Sequence, residues 1–128
     1  ERVVELAKKQ GVVITGYISD AERYVLLQNA LVYVQPSITE GFGLPVLEAW
    51  QAEIQVVSSR GGSLKEIVGD AGELFDPLDV HGIKRSLQSA VVSLQLREEL
   101  VRKGRRRMGE FSWDKAARET YKIITNFQ

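Results

Sequence analysis

The chain has 128 residues, 44% of them hydrophobic, which is enough for one domain with a real core. Its 17 basic and 17 acidic residues balance to a formal net charge of zero, so no overall field drives it toward nucleic acid or an anionic membrane. With no cysteine it has neither disulfides nor thiolate metal sites, and no apolar run is long enough to span a bilayer.

Residues 2–9 carry an amphipathic helical pattern, with Val3, Val4, Leu6 and Ala7 among charges, ended by Gly11. Val12-Val13-Ile14-Thr15 reads as a strand stopped by Gly16. Ser19 or Asp20 is placed to cap a helix through Asn29, with Ala21, Tyr24, Val25 and Leu27 available for its inner face. Residues 31–35 (Leu-Val-Tyr-Val-Gln) form a short apolar, β-branched strand ended by Pro36 and Ser37. A helix follows Pro45, then a strand at residues 55–58, a Gly61-Gly62 loop, a short helix from Leu64 to Val68 and a last strand at residues 73–75. Beyond Pro77, Asp79 caps a long helix in which Val80, Ile83, Leu87, Ala90, Val91 and Leu94 recur at helical spacing. A second helix runs from about Gln95 to Met108, and Ser112 caps a third from Trp113 to about Asn126. Strands alternating with helices predict an α/β fold: a Rossmann-like parallel sheet of about four short strands, flanking helices and a three-helix C-terminal tail. There is no internal repeat, low-complexity tract or linker, and residues 1–128 read as one unit.

The stretch Glu40-Gly-Phe-Gly-Leu-Pro-Val-Leu-Glu48 carries the most chemistry. Glu40 lies in the loop at the carboxyl end of strand 31–35. Gly41 and Gly43 let the backbone turn tightly and approach a ligand. Pro45 fits the first turn of a helix, where its missing N–H costs nothing. The first N–H groups of that helix lack internal partners and have the positive end of the helix dipole behind them, a good place for phosphate oxygens. Glu48 sits about one turn in, its side chain leaning back toward the N-terminus. Two carboxylates and a row of free N–H groups in one small volume suit a ligand with both hydroxyls and phosphates, such as a sugar nucleotide.

Other features read as structural. Five of residues 102–107 are basic, Arg102, Lys103, Arg105, Arg106 and Arg107, but Glu98 and Glu99 stand at helical pairing distance, so a solvated helix face is favoured over a nucleic-acid or anionic-lipid patch. His81, the only histidine, has no second ligand type nearby, which argues against a metal. Trp50, Trp113, Tyr121 and Phe127 fit core or interface positions better than a stacking platform. Gly61-Gly62 reads equally as a ligand-facing turn and as a plain loop.

With its turns placed, the chain resembles the C-terminal, donor-binding domain of family-4 (group 1) glycosyltransferases with the GT-B fold, over nearly its whole length. The residues that carry the likeness are Gly16-Tyr17-Ile18-Ser19, Asn29-Ala30, Pro36-Ser37, the stretch from Glu40 to Ala49, Glu66-Ile-Val-Gly-Asp-Ala-Gly72, Asp76-Pro77 and Phe111-Ser112-Trp113. The resemblance implies transfer of a sugar from a nucleotide-diphosphate donor to an acceptor, with retention of configuration and without a metal or other cofactor. It implies a catalytic-site role for Glu40 at the hydroxyls of the transferred sugar. Gly41, Phe42, Gly43, Leu44 and Pro45 would hold sugar and diphosphate, Glu48 the ribose hydroxyls, and Tyr17 and Ile18 would flank the base. The donor stays open between UDP-, GDP- and ADP-sugars.

The family's catalytic Arg and Lys come from a segment before these residues, and its acceptor domain is absent here. The resemblance therefore makes the chain a partial C-terminal domain, inactive alone and completed by an N-terminal acceptor domain. A cytoplasmic location is expected, peripheral to the membrane in the intact enzyme, since Glu1-Arg2-Val3-Val4 shows no signal-peptide pattern. No nucleic-acid partner is expected. In the parent sheet two earlier strands separate strand 12–15 from strand 31–35. Without them either a gap opens or strand 12–15 slides over, and the exposed edge or face is expected to promote homo-oligomers. Three departures stand behind the site: Glu53 replaces a helix-ending glycine, Gln55 a proline, and Leu31 a frequent aspartate. The alternatives are a non-catalytic sugar-nucleotide-binding or assembly module and a GT-B sugar-nucleotide epimerase. The Phe-Gly-Leu-Pro context favours the transferase.

Overall fold

A computed structural model describes residues 2–126; the side chains of Arg2 and Val3, and all of Phe127, fall outside the description. In chain order the elements are α1 (Arg2–Lys9), α2 (Asp20–Gln28), β1 (Tyr33–Gln35), α3 (Leu44–Gln51), β2 (Val56–Ser59), α4 (Leu64–Val68), β3 (Gly72–Phe75), α5 (Val80–Val92), α6 (Leu94–Met108) and α7 (Trp113–Thr125). The three strands form one parallel sheet in the order β1-β2-β3. Tyr33 lies opposite Val56, and Val56 opposite Gly72.

The period-2 alternation of a strand sorts β2 onto two cores. Val56 faces a cluster with Leu27 of α2, Val46, Ala49 and Trp50 of α3, and Leu64, Ile67 and Val68 of α4. Val57 faces Phe75 and Ala90, with Val34, Ile83 and Leu87 packed around them. So α3 and α4 cover one face of the sheet and α5 the other. Trp50 settles against α6: a Cβ built on Gly104 would lie 2.3 Å from Trp50 Cδ1. Only a glycine lets the two helices approach so closely.

One predicted strand does not form. Residues 12–15 adopt no regular structure, and Val12, Val13 and Ile14 are exposed. A strand needs a neighbour for its N–H and C=O groups, and residues 12–15 pair with none of the described strands. The sheet thus has three strands rather than about four, and its β1 edge is open: the gap opens rather than being filled by sliding. The inner face of α2 is also narrower than its pattern suggests, since Leu27 is buried while Ala21, Tyr24 and Val25 are exposed. On α5, Ile83, Leu87 and Ala90 pack inward, whereas Val80 and Val91 do not, and Leu94 opens α6. Along α7 no described residue is buried, and Trp113 is 80% exposed.

The departures at the end of α3 have structural answers. Glu53 takes φ 61°, the left-handed conformation that ends a helix, and is the one described non-glycine residue with positive φ. Gln55 is fully buried, and its Nε2 donates to the carbonyls of Leu31 and Ala90, both at 2.9 Å. Gln55 thereby ties the approach to β1 to helix α5, which a proline could not do.

Candidate functional site

The site is built where β1 ends. Pro36 breaks the strand, and residues 36–43 loop over to α3 at the carboxyl edge of the sheet, the usual ligand side of an open α/β sheet. A second loop supports the first. The Ser63 N–H donates to the Glu40 carbonyl at 3.1 Å, and the Ser63 hydroxyl lies 3.1 Å from the carbonyls of both Glu40 and Phe42. A Cβ on Gly61 would lie 2.2 Å from the Ile38 carbonyl oxygen, and one on Gly62 2.4 Å from that of Glu40. The glycine pair lets one loop press against the other beneath Glu40.

Gly43 is the N-cap of α3 at φ 101°, and no side chain caps the helix start. A larger residue there would be strained and would meet Leu64 Cδ2 at 2.8 Å. The first helical bond of α3 runs from Val46 N–H to the Gly43 carbonyl, at 2.9 Å. Among the described residues nothing accepts from the N–H groups of Phe42, Gly43 and Leu44. Unpaired N–H groups at the positive end of a helix are an anion-binding arrangement.

The two glutamates flank this helix start and are held differently. Glu40 accepts from Gln35 Nε2 at 3.1 Å, from the Ser37 hydroxyl at 3.3 Å and from the Gly41 N–H at 3.3 Å, all neutral donors. Glu48, just past the first turn of α3, accepts at Oε1 from Arg23 Nη2 of α2 at 3.1 Å, while its Oε2 is buried with no partner. Between them stands Tyr33, whose hydroxyl donates to Gln35 Oε1. Burial, then the charges of Glu48 and Glu40, push the Tyr33 hydroxyl up to about 12, partly offset by Arg23. Tyr33, Gln35 and Glu40 thus form one hydrogen-bonded chain along the edge of β1.

The remaining candidates are spread more widely. Phe42 stands edge-on to Phe111, with centroids 5.8 Å apart, and Arg107 lies over the far ring at 5.6 Å. Beside them is an apolar cavity of about 540 Å³ lined by Phe42, Leu44, Leu47, Phe111 and Trp113. Tyr17 is 98% exposed, whereas Ile18 is half-buried. Both precede Ser19, which caps α2 in a reciprocal box with Glu22, and α2 is the helix that carries Arg23 to Glu48. The basic run is largely engaged with its own protein. Lys103 pairs with Glu99 at 2.8 Å and Asp70 at 3.4 Å, Arg105 with Glu53, and Arg107 with Glu110 at 2.7 Å and the carbonyls of Glu66 and Ile67.

Sequence reasoning missed Arg23, Tyr33, Gln35, Ser37 and Ser63. Gln35 carried a signal, being a polar residue that ends an apolar strand at the ligand edge. Arg23 carried none, because only the folded chain brings it to a glutamate 25 residues away.

A family model described as "Glycosyl transferases group 1" matches residues 1–107. The chain is 35% identical over 127 residues to O-antigen chain mannosyltransferase B of Escherichia coli, covering 96% of this chain and 33% of that protein. It is 37% identical over 125 residues to the MMP alpha-(1->4)-mannosyltransferase of Mycolicibacterium hassiacum, covering 94% and 30%. Sucrose-phosphate synthase from Thermosynechococcus elongatus superimposes with a TM-score of 0.83 at 25% identity, covering 98% of this chain and 33% of that one. The chain thus spans about a third of the length of the relatives it matches. On its motifs, its fold and the extent of the model match, the chain belongs to the group 1 glycosyltransferase family.

Proposed function

We propose that this chain is the donor-holding part of a retaining glycosyltransferase that moves a sugar from a nucleoside-diphosphate donor to an acceptor. One observation carries the reading: two carboxylates flank an uncapped helix start whose N–H groups are free. The diphosphate sits on the N–H groups of Phe42, Gly43 and Leu44, with Gly41 and Pro45 shaping the turn. Glu40 accepts hydrogen bonds from the hydroxyls of the transferred sugar, and Glu48 from the ribose. Tyr17 and Ile18 flank the base. The departing diphosphate gains negative charge in the transition state, and the helix start opposes it with fixed dipoles. The cations that complete this stabilisation, and the acceptor, belong to parts of the enzyme outside residues 1–128, as does turnover. Donor transfer here needs no metal or other cofactor. Because two relatives are named mannosyltransferases, a mannosyl donor is the first sugar to test.

Calorimetric titration with UDP, GDP and ADP tests the donor site. One of the three should bind, and binding by none would defeat the reading. In the intact enzyme Glu40→Ala should lower the transfer rate by roughly 10²–10³, the scale of losing one fixed electrostatic contact at the reacting centre. Unchanged transfer would point instead to a non-catalytic binding or assembly module.

A further inference from the structure

The donors that hold Glu40 trace back into the core. Tyr33 and Gln35 stand two residues apart on β1, so their side chains share one face of the strand. On that face the Tyr33 ring packs against the cluster of α2, α3 and α4, which fixes where its hydroxyl lies. The hydroxyl donates to Gln35 Oε1. Gln35 Nε2 donates in turn to the Ser37 hydroxyl at 2.8 Å and to Glu40 Oε2 at 3.1 Å. A side-chain amide has one acceptor end and one donor end. With the acceptor end taken by Tyr33, the donor end is turned to the carboxylate. Glu40 itself is half-buried, and among the described residues its Oε1 meets only the Gly41 N–H, at 3.3 Å. A carboxylate has about four lone-pair sites, so Glu40 keeps acceptor capacity while its rotation is set from behind.

Resting on the donor-site reading above, we propose that Gln35 is a positioning residue for the transferred sugar: with its amide turned by Tyr33, it orients the Glu40 carboxylate on which the sugar hydroxyls dock. Gln35 acts through Glu40 and need not touch the sugar. The diphosphate is assigned to the backbone N–H groups of Phe42, Gly43 and Leu44, with which the Gln35 amide shares no hydrogen bond. Loss of Gln35 therefore has a selective consequence. The sugar loses an oriented acceptor, and the diphosphate loses nothing. A glutamine that merely braced the loop would act on both, because residues 36–43 carry the carboxylate and lead into those N–H groups on one backbone.

The test is calorimetric titration of the protein with GDP-mannose against GDP, UDP-glucose against UDP and ADP-glucose against ADP, followed in the pair that binds. Gln35→Leu should weaken the sugar nucleotide about tenfold, the scale of a hydrogen bond to a charged acceptor, while the free diphosphate stays within about twofold. Tyr33→Phe, which frees the amide to turn over, should give a smaller selective loss of roughly threefold. The double variant, Tyr33→Phe with Gln35→Leu, strands no hydroxyl without its acceptor, so it guards against misfolding and should match Gln35→Leu. Parental binding of the sugar nucleotide by Gln35→Leu and the double variant overturns the proposal, and so does an equal loss of sugar nucleotide and diphosphate. Glu40→Ala separates the proposal from the reading beneath it. If Glu40→Ala shows the selective loss and Gln35→Leu does not, only the role of Gln35 falls. If Glu40→Ala shows no selective loss, the sugar assignment of Glu40 falls with it, and binding of none of the nucleotides removes the donor site as well.

Discussion

The contact between Gly104 and Trp50 sets a sharp stability test of how α3 is held. A methyl at position 104 would sit 2.3 Å from Trp50 Cδ1, 2.5 Å from Nε1 and 2.9 Å from Cγ. Carbon atoms pack at about 3.5–4.0 Å, so the ring would have to retreat by roughly 1 Å. It has little room, being 2% exposed and packed in the cluster with Val46, Ala49 and Leu64. Overpacking of this kind costs about 1–3 kcal/mol, while replacing a helical glycine by alanine returns up to about 1 kcal/mol. Gly104→Ala should therefore destabilise by about 1–2 kcal/mol, read as a lower urea midpoint at unchanged slope. In a Trp50→Leu background the ring is gone, and the same substitution should become neutral or stabilising. That sign change is the signature of direct coupling. A Gly104→Ala protein as stable as its parent would refute the reasoning, because the helices would then have room that the distances deny.

Two further outcomes follow from single residues. At Glu53, φ 61° penalises a β-branched side chain most, so stability should rank Gly at or above Glu and Val lowest, with Gly and Val separated by about 1–2 kcal/mol; loss of the exposed Arg105 pair narrows the gain from glycine, and chemical denaturation showing Val equal to Gly would disprove the ranking. For Tyr33, the folded hydroxyl titrates near 12 against an ordinary value of 10.0. Between those values the unfolded chain has lost the proton that the folded chain keeps, so this group's stabilisation is full below the ordinary value and is lost as pH rises through the folded one. An ultraviolet tyrosinate titration should show a step near pH 12 that Tyr33→Phe removes, and a wild-type and variant with superimposable curves would contradict it.

What the sequence made legible was local. Caps place two of the helices: Ser19 and Ser112 each accept from an N–H three residues on, and those helices begin where the residues fall, whereas the Ser93 cap went unread and Asp79 starts α5 without a side-chain cap bond. Glu53 is readable for the same reason, since a helix end needs a left-handed residue whichever side chain supplies it. The nonapeptide is readable because its turn, proline and helix start are contiguous. The strand at 12–15 misled because β-branched composition reports the fitness of a segment for a sheet, not the presence of a neighbour. Val12 to Thr15 have the right residues and no partner. The contacts of Arg23, Ser63 and Gln55 could not be read because each acts across at least 21 residues of chain, through packing that no periodicity encodes.

The manner in which each glutamate is supported gives the two carboxylates different work. Glu40 is held by an amide, a hydroxyl and a backbone N–H, so its position is fixed while its charge stays uncancelled. Breaking a glycosidic bond builds positive charge on the sugar as the leaving group departs. If Glu40 lies beside that sugar, as proposed above, a fixed, uncompensated carboxylate there favours the transition state over the ground state, which is the only kind of contact that raises a rate. Glu48 instead faces a cation, and Arg23 cancels much of the charge it would show a distant group. On the donor-site reading proposed above, a carboxylate so neutralised suits a part of the donor whose charge does not change during transfer. Under the proposed reading the two glutamates divide between chemistry and grip, and the division follows their neighbours on β1 and α2 rather than the glutamates themselves.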